Sequence, residues 1–183
     1  MAEVRELVVR ARRGDSAAFE GLVRRFYRAA YATALGVLNN PMDAEDACQD
    51  AFIRALERID NCQPDRFGGW LLQIVRNRAR NLRDRERVRA GPDLEVVAAA
   101  SRQQTDDASE RSDLRARLEA ALETLTDAQR EIVLLHDLEG WKHREIAEAL
   151  GISEVMARQH LFVARRALRE RLGRETLKEF IND

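Results

Sequence analysis

Apolar residues recur three and four positions apart along nearly the whole chain, the spacing of amphipathic helices. Val4, Leu7, Val8 and Ala11 mark a short first helix, stopped at Gly14. Asp15 or Ser16 can cap a second, in which Phe19, Leu22, Val23, Phe26, Ala30, Ala34 and Leu38 keep helical register. Asn39-Asn40-Pro41 breaks that register, and Asp43 is expected to cap a third helix with Glu45 and Asp46 in its first turn. Its inward stripe is Cys48, Ala51 or Phe52, Ala55 and Ile59. The run NCQPDR, residues 61–66, is expected to be a loop, and a fourth helix then extends from about Phe67 to Arg89.

After Gly91-Pro92 the pattern lapses into an Ala, Ser, Gln and Asp-rich stretch, the best candidate for a linker. A second helical group follows, with Leu114, Leu118 and Leu122, then Ile132, Val133 and Leu135 behind a Thr126-Asp127 cap. The chain therefore reads as all-α: a helical domain over residues 1–90, an acidic linker over 91–112 and a second helical domain over 113–183.

Composition agrees with helices and excludes several functional classes. Only 3 Pro and 9 Gly interrupt 183 residues, 45% of them hydrophobic. The apolar stretches are too short to span a membrane, and the N-terminal residues lack the apolar block of a signal peptide, so a cytoplasmic location is expected. Cys48 and Cys62 sit in no metal-binding or redox spacing, and His136, His143 and His160 are scattered. With no phosphate loop, nucleophile elbow or HExxH pattern, neither an enzyme, a cofactor nor a bound metal is expected.

The formal net charge of −1 argues against a strong free-standing nucleic-acid binder. It conceals segregation, however. Between Arg76 and Arg89 seven arginines meet two acids, a net of +5, whereas residues 93–113 carry a net of −4. Arg76, Arg80, Arg83 and Arg87 fall along one side of the fourth helix, away from Leu71, Ile74, Val75 and Leu82. A solvated charged face usually interleaves acids for pairing, and this one does not, which favours phosphate contact. Trp70 at the start of that helix reads as a core wedge, and the adjacent NCQPDR loop lies where a pocket for an unstacked base would be. The third helix shows an acidic-to-mixed outer face of Glu45, Asp46, Gln49, Asp50, Ile53, Arg54 and Glu57, which either balances that basic helix or docks a basic protein surface.

Residues 144–166, REIAEALGISEVMARQHLFVARR, have the outline of a helix-turn-helix. Ile146, Ala147 and Leu150 pack the first helix, Gly151 permits the turn, Ser153 caps the second, and Ala157, Leu161, Ala164 and Leu168 continue its buried side. In a recognition helix Arg158 and Gln159 are then the natural readers of base edges, with Arg165, Arg166 and Arg169 nearer phosphates.

Four blocks in order resemble the extracytoplasmic-function (group IV) sigma factors of bacterial RNA polymerase. They are GDSAAFEGLVRRFYRAAYATAL, DAEDACQDAFIRALERI, FGGWLLQIVRNRARNLRDRERVR, and LETLTDAQREIVLLHDLEGWKHREIAEALGIS with the helix after it. The resemblance implies that Asp43, Glu45, Asp46, Gln49, Asp50 and Phe52 dock on the β′ clamp helices of the core enzyme. It assigns Asn61, Gln63, Asp65, Arg66, Trp70, Arg76, Asn77, Arg80, Asn81 and Arg83 to capture and melting of the −10 element. The linker then passes near the active-site cleft and RNA exit path, and the C-terminal domain binds the β flap tip and reads the −35 element. An anti-sigma factor is a further implied partner.

The recognition helix departs from the family pattern: Met156 replaces a threonine, and Phe162-Val163 a His-Arg pair, while Arg158 keeps a basic position. Met156, Phe162 or Val163 is expected either to pack on thymine methyls or to serve a protein partner such as an anti-sigma factor, and the −35 contacts are assigned to Met156, Arg158, Gln159, Phe162, Arg165 and Arg166. Two rivals stand beside the sigma-factor reading: a stand-alone helix-turn-helix regulator, which has no need of the acidic docking helix, and a decoy that has lost DNA binding.

Overall fold

Each helix begins and ends where a particular side chain closes its open backbone groups. The computed structural model describes residues 2–90 and 109–173, with helices α1 (Ala2–Arg12), α2 (Ser16–Leu38), α3 (Pro41–Glu57), α4 (Phe67–Ala90), α5 (Ser109–Glu123), α6 (Asp127–Val133), α7 (His143–Leu150) and α8 (Glu154–Leu172). No strand occurs among the described residues. Asp15 caps α2 by accepting from the Ala18 N–H, and the left-handed Asn39 ends it. The cap of α3 is Asn40 and not Asp43: its Oδ1 accepts from the N–H groups of Met42 (2.9 Å) and Asp43 (3.3 Å), and Pro41 takes the first helical position, where no N–H is needed. Asp43 instead lies in the first turn. Thr126 and Gln129 form a reciprocal capping box on α6. Of the acidic segment expected to be a linker over residues 91–112, residues 91–108 lie outside the described residues, and 109–112 are helical, forming the start of α5.

The first four helices bury much of the stripes that their periodicity indicates. Leu22, Ala30 and Ala34 of α2 and Cys48, Ala51, Phe52 and Ala55 of α3 are inside, with Ile59 beyond α3, while Phe19, Val23, Phe26 and Leu38 are partly buried. In α4 Leu71 and Val75 are inside as expected, but Leu72 and Ala79 complete the buried side where Ile74 and Leu82 were expected, and those two are only partly buried. Each large apolar side chain among them contributes about 1.5–3 kcal/mol on full burial. One helix buries more than its stripe. From Ala29 to Val37, α2 is buried almost all round, leaving only Tyr31 and Leu35 partly exposed. A helix buried on every side must be covered from two directions. Here α3 and α4 cover one side, and α6 with the π-helical turn Leu134–Leu138 covers the other.

That second covering requires small residues. A Cβ on Gly36 would stand 2.9 Å from the Cα of Glu131, and one on Gly69 would stand 3.3 Å from the Cα of Ala149. α6 therefore seats directly on α2, and α7 on α4. The two helical groups share one continuous apolar core.

Candidate nucleic-acid interface

The stretch 61–66, expected to be a loop, is two 3-10 turns, Ile59–Asn61 and Pro64–Arg66, divided by the buried Cys62. It is held from below by α1. The Arg12 guanidinium donates to the carbonyls of Ile59 (3.1 Å) and Cys62, and Arg5 pairs with Asp65 at 2.9 Å. Asn61, Gln63, Asp65 and Arg66 remain exposed, so their polar groups are presented on a braced segment. Trp70 is half-buried with its ring tilted against Phe67, 5.9 Å between centroids, which fits the wedge reading. Arg12 drew no notice in the sequence, because nothing in its spacing reports a bond to a backbone carbonyl some fifty residues away.

Helix α4 carries the arginines, but they are not equivalent. Asn77, Arg80, Asn81 and Arg87 are exposed, and Arg80 and Arg87 form no ion pair among the described residues. Arg76, expected on the open stripe, is instead 5% exposed. Its Nε and Nη2 donate to the Glu131 carboxylate at 3.2 and 2.9 Å, and its Nη1 donates to Gln73. Arg83 is half-buried against Asp127. Helical angle places these arginines on one side correctly, yet it is blind to the second helical group that covers part of that side. In this arrangement Arg76 is closed to any ligand.

Helix α3 presents Glu45, Asp46 and Gln49 to solvent. Asp50 is partly covered and bonded to Arg54 (3.0 Å) and Arg78 (2.5 Å). Asp43 is partly buried, and desolvation, with the nearby Asp46 charge, pushes its carboxyl above the ordinary range. Phe52, grouped with these residues by resemblance, does not share their surface. It is 6% exposed and stacks on Tyr27 at 6.4 Å, so it supports the helix from inside. Exposed Ile53 and Leu56 adjoin the acidic positions and make the face amphipathic.

The helix-turn-helix forms with the expected parts. Gly151 takes φ of 67°, Ser153 caps α8 by accepting from the Met156 N–H at 3.1 Å, and Ala157, Leu161, Ala164 and Leu168 are buried. The outer face of α8 is unusually apolar, with Val155 70%, Phe162 68%, Met156 46% and Val163 41% exposed. Its cations are largely paired: Arg158 with Glu154 at 2.5 Å and Arg166 with Glu170 at 3.0 Å. Arg165 points back to Asp137 on the π turn, and this bond holds its guanidinium pKa above the usual value. It braces the motif, where the sequence placed it near phosphates. Gln159 and Arg169 are exposed.

Comparison with known proteins matches both halves. The sigma-70 region 2 family covers residues 22–89, and the sigma-70 region 4 family covers residues 115–168. The ECF RNA polymerase sigma factor SigE of Mycolicibacterium smegmatis is 33% identical over 169 residues, covering 89% of this chain and 66% of SigE. The chain thus spans slightly less than two thirds of that relative. CarQ, an RNA polymerase sigma factor of Myxococcus xanthus, is 34% identical over 166 residues, covering 90% of this chain and 94% of CarQ. Among solved structures, CnrH in complex with the cytosolic domain of CnrY superposes with a TM-score of 0.69 at 28% identity, covering 93% of this chain and 97% of CnrH, a sigma factor of Cupriavidus metallidurans. With both sigma-70 regions matched in order over these elements, and CarQ 34% identical along 94% of its own length, the chain belongs to the extracytoplasmic-function family of RNA polymerase sigma factors.

Proposed function

We propose that the chain joins core RNA polymerase in the cytoplasm as a non-catalytic subunit and directs initiation at promoters with −10 and −35 elements. The observation that carries this reading is the adjacency of two unlike surfaces on one domain. Helix α3 offers an acidic and apolar face (Glu45, Asp46, Gln49, Ile53, Leu56), and beside it the braced 61–66 turn leads into the arginine helix. A stand-alone regulator needs only the second. In this reading Asp43, Glu45, Asp46, Gln49 and Asp50 dock on the β′ clamp helices, with Phe52 holding that face from within. Asn61, Gln63, Asp65, Arg66 and Trp70 take an unstacked base of the −10 element, and the exposed Asn77, Arg80 and Asn81 hold its strand, joined by Arg76 and Arg83 only where α6 has moved off α4. Binding there offsets an unstacking cost of a few kcal/mol per base. The domain limits are residues 1–90 and 113–183, the second carrying the β flap contact and the −35 reader, with the linker between them.

Reconstitution with core polymerase, followed by run-off transcription and mapping of transcript starts, tests the proposal. Specific starts that appear only with the chain present are expected. Failure to associate with core enzyme, together with tight binding to operator DNA by the chain alone, would favour the stand-alone regulator and overturn it.

For α8 one observation favours a second role beside DNA reading. Its apolar residues are exposed while Arg158, Arg165 and Arg166 are paired with acids, a surface better suited to an apolar protein segment than to phosphates. CnrH was solved with a protein domain bound, that of CnrY, and we infer an anti-sigma partner here too. Ala at Met156 and Phe162 distinguishes the roles. Reduced −35-dependent transcription supports thymine-methyl contact by these residues with Arg158 and Gln159; unchanged transcription with lost partner binding assigns them to the partner.

A further inference from the structure

Arg10, Arg12 and Arg13 stand together at the end of α1 and have three different fates. Arg10 pairs with Asp15 at 2.7 Å, Arg13 is exposed, and Arg12 turns across to the 61–66 segment. The Arg12 donors go to carbonyl oxygens. Nε donates to Ile59 at 3.1 Å and Nη2 to Cys62, so one planar guanidinium ties the first 3-10 turn to the residue that separates it from the second.

What this grip controls follows from the backbone. Cys62 and Gln63 are the two extended residues between the turns, with φ and ψ of −83° and 136°, and of −76° and 121°. Successive side chains on extended backbone point to opposite sides. The Cys62 thiol is accordingly buried, while Gln63 is exposed, as is Asn61 before it. The Cys62 carbonyl lies in the peptide plane that joins Cys62 to Gln63, so the bond to Arg12 fixes the plane from which Gln63 departs. The strut itself has a firm base. Val4, Val8 and Ala11 are buried, and α1 sits so close on α2 that a Cβ on Gly21 would stand 3.3 Å from the Leu7 side chain. By contrast, the Arg5–Asp65 pair on the same segment is exposed at both ends and holds little.

Polar groups select a ligand only when they are held within about 0.5 Å of the productive geometry. We propose that Arg12 is a positioning residue for base selection: by gripping the Ile59 and Cys62 carbonyls it aims Asn61 and Gln63 at the captured base, without touching DNA itself. The inference rests on the reading of the 61–66 segment as the base-capturing element, and names the residue that sets its selectivity.

The test uses holoenzyme assembled from core RNA polymerase and the full chain. Its template is a promoter taken from the mapped starts, with each −10 position varied through all four bases. Gln63→Ala and Asn61→Ala locate the position that the segment reads. At that position Arg12→Met should lower the preference for the favoured base about tenfold, the size of one lost base contact, and leave the other −10 positions and the −35 element unchanged. Arg13→Met removes a neighbouring charge and should leave the preference intact; an equal fall would ascribe the effect to charge alone and overturn the proposal. Cys62 reports the segment itself, with Cys48 as an internal reference, since both thiols are buried. In Arg12→Met, iodoacetamide should label Cys62 and spare Cys48. Should Cys48 be labelled too, the fold has loosened as a whole, and Arg12→Lys, which keeps the charge and a donor but not the planar fork, carries the same comparison. The positioning role is refuted if Cys62 becomes labelled while preference stays within about twofold, or if transcription falls equally with all four bases. It is equally refuted if preference falls with Cys62 still protected, which would put Arg12 on the DNA. If Gln63→Ala and Asn61→Ala alter preference at no position, the base-capturing reading itself fails. If they alter it and Arg12→Met does not, that reading stands and the role of Arg12 is lost.

Discussion

Removing one partner of the Arg76–Glu131 pair tests the contact between the two helical groups most directly. Both side chains are nearly enclosed, at 6% and 4% exposure, and Arg76 donates to both carboxylate oxygens. In Glu131→Gln the guanidinium loses its counter-charge, and in Arg76→Met the carboxylate is left alone. Stranding a charge in this way costs about 3–5 kcal/mol. For a chain of this size, with about 2–4 °C per kcal/mol, the melting temperature should fall by roughly 6–20 °C. Replacing both, Arg76→Met with Glu131→Leu, removes the desolvation cost along with the attraction and should return stability close to that of the unmodified protein. The assay is urea and thermal unfolding followed by circular dichroism, arranged as a double-mutant cycle, with hydrodynamic radius measured in parallel. Hydration offers a stranded charge one escape: the helical groups part, and the radius grows in place of a full loss of stability. The reasoning is refuted if each single variant loses less than about 1 kcal/mol, the double variant is simply additive, and all remain as compact as the parent.

Other outcomes follow from particular groups. Asn40→Ala removes both side-chain bonds at the start of α3 and should cost about 1 kcal/mol, read from the urea midpoint; no change would mean that Asp43 can take over the cap. Burial pushes the thiols of Cys48 and Cys62 up to about 12 and about 11, so iodoacetamide at pH 8 should leave the folded protein unmodified and label both residues once it is unfolded. Burial, the stacked His136 ring and the Arg158 charge hold the His143 pKa below its ordinary 6.5, with Glu154 opposing and Arg165 adding to the effect. The unfolded chain therefore takes up a proton at His143 before the folded one does. Stability should fall as pH drops below 6.5, and His143→Gln should flatten that dependence in pH-resolved melts.

The helices themselves, and much of the candidate surface, are legible in the amino-acid order. Periodicity located the buried stripes of α3 and α8 and half of that of α4, and short-range chemistry located the caps at Asp15, Thr126 and Ser153, because these depend on residues within one or two turns. The exception at α3 has the same local origin: Asn40 and Asp43 are both suitable caps, and Pro41 favours the former. The outward apolar residues of α8 and the acidic face of α3 are also properties of single helices, visible without their neighbours.

What the tertiary structure decided is which of those surfaces are free. Arg76 and Arg80 share a side of α4, yet one is buried on Glu131 and the other is exposed. Phe52 adjoins acidic residues in the sequence and points inward onto Tyr27. Gly36, unremarkable within α2, is the point where α6 touches. Helical angle fixes a residue's direction relative to its own axis, while occupancy of that direction depends on elements some fifty or more residues away, brought there by a shared core. The sequence therefore determined the faces, and long-range packing determined which of them are covered.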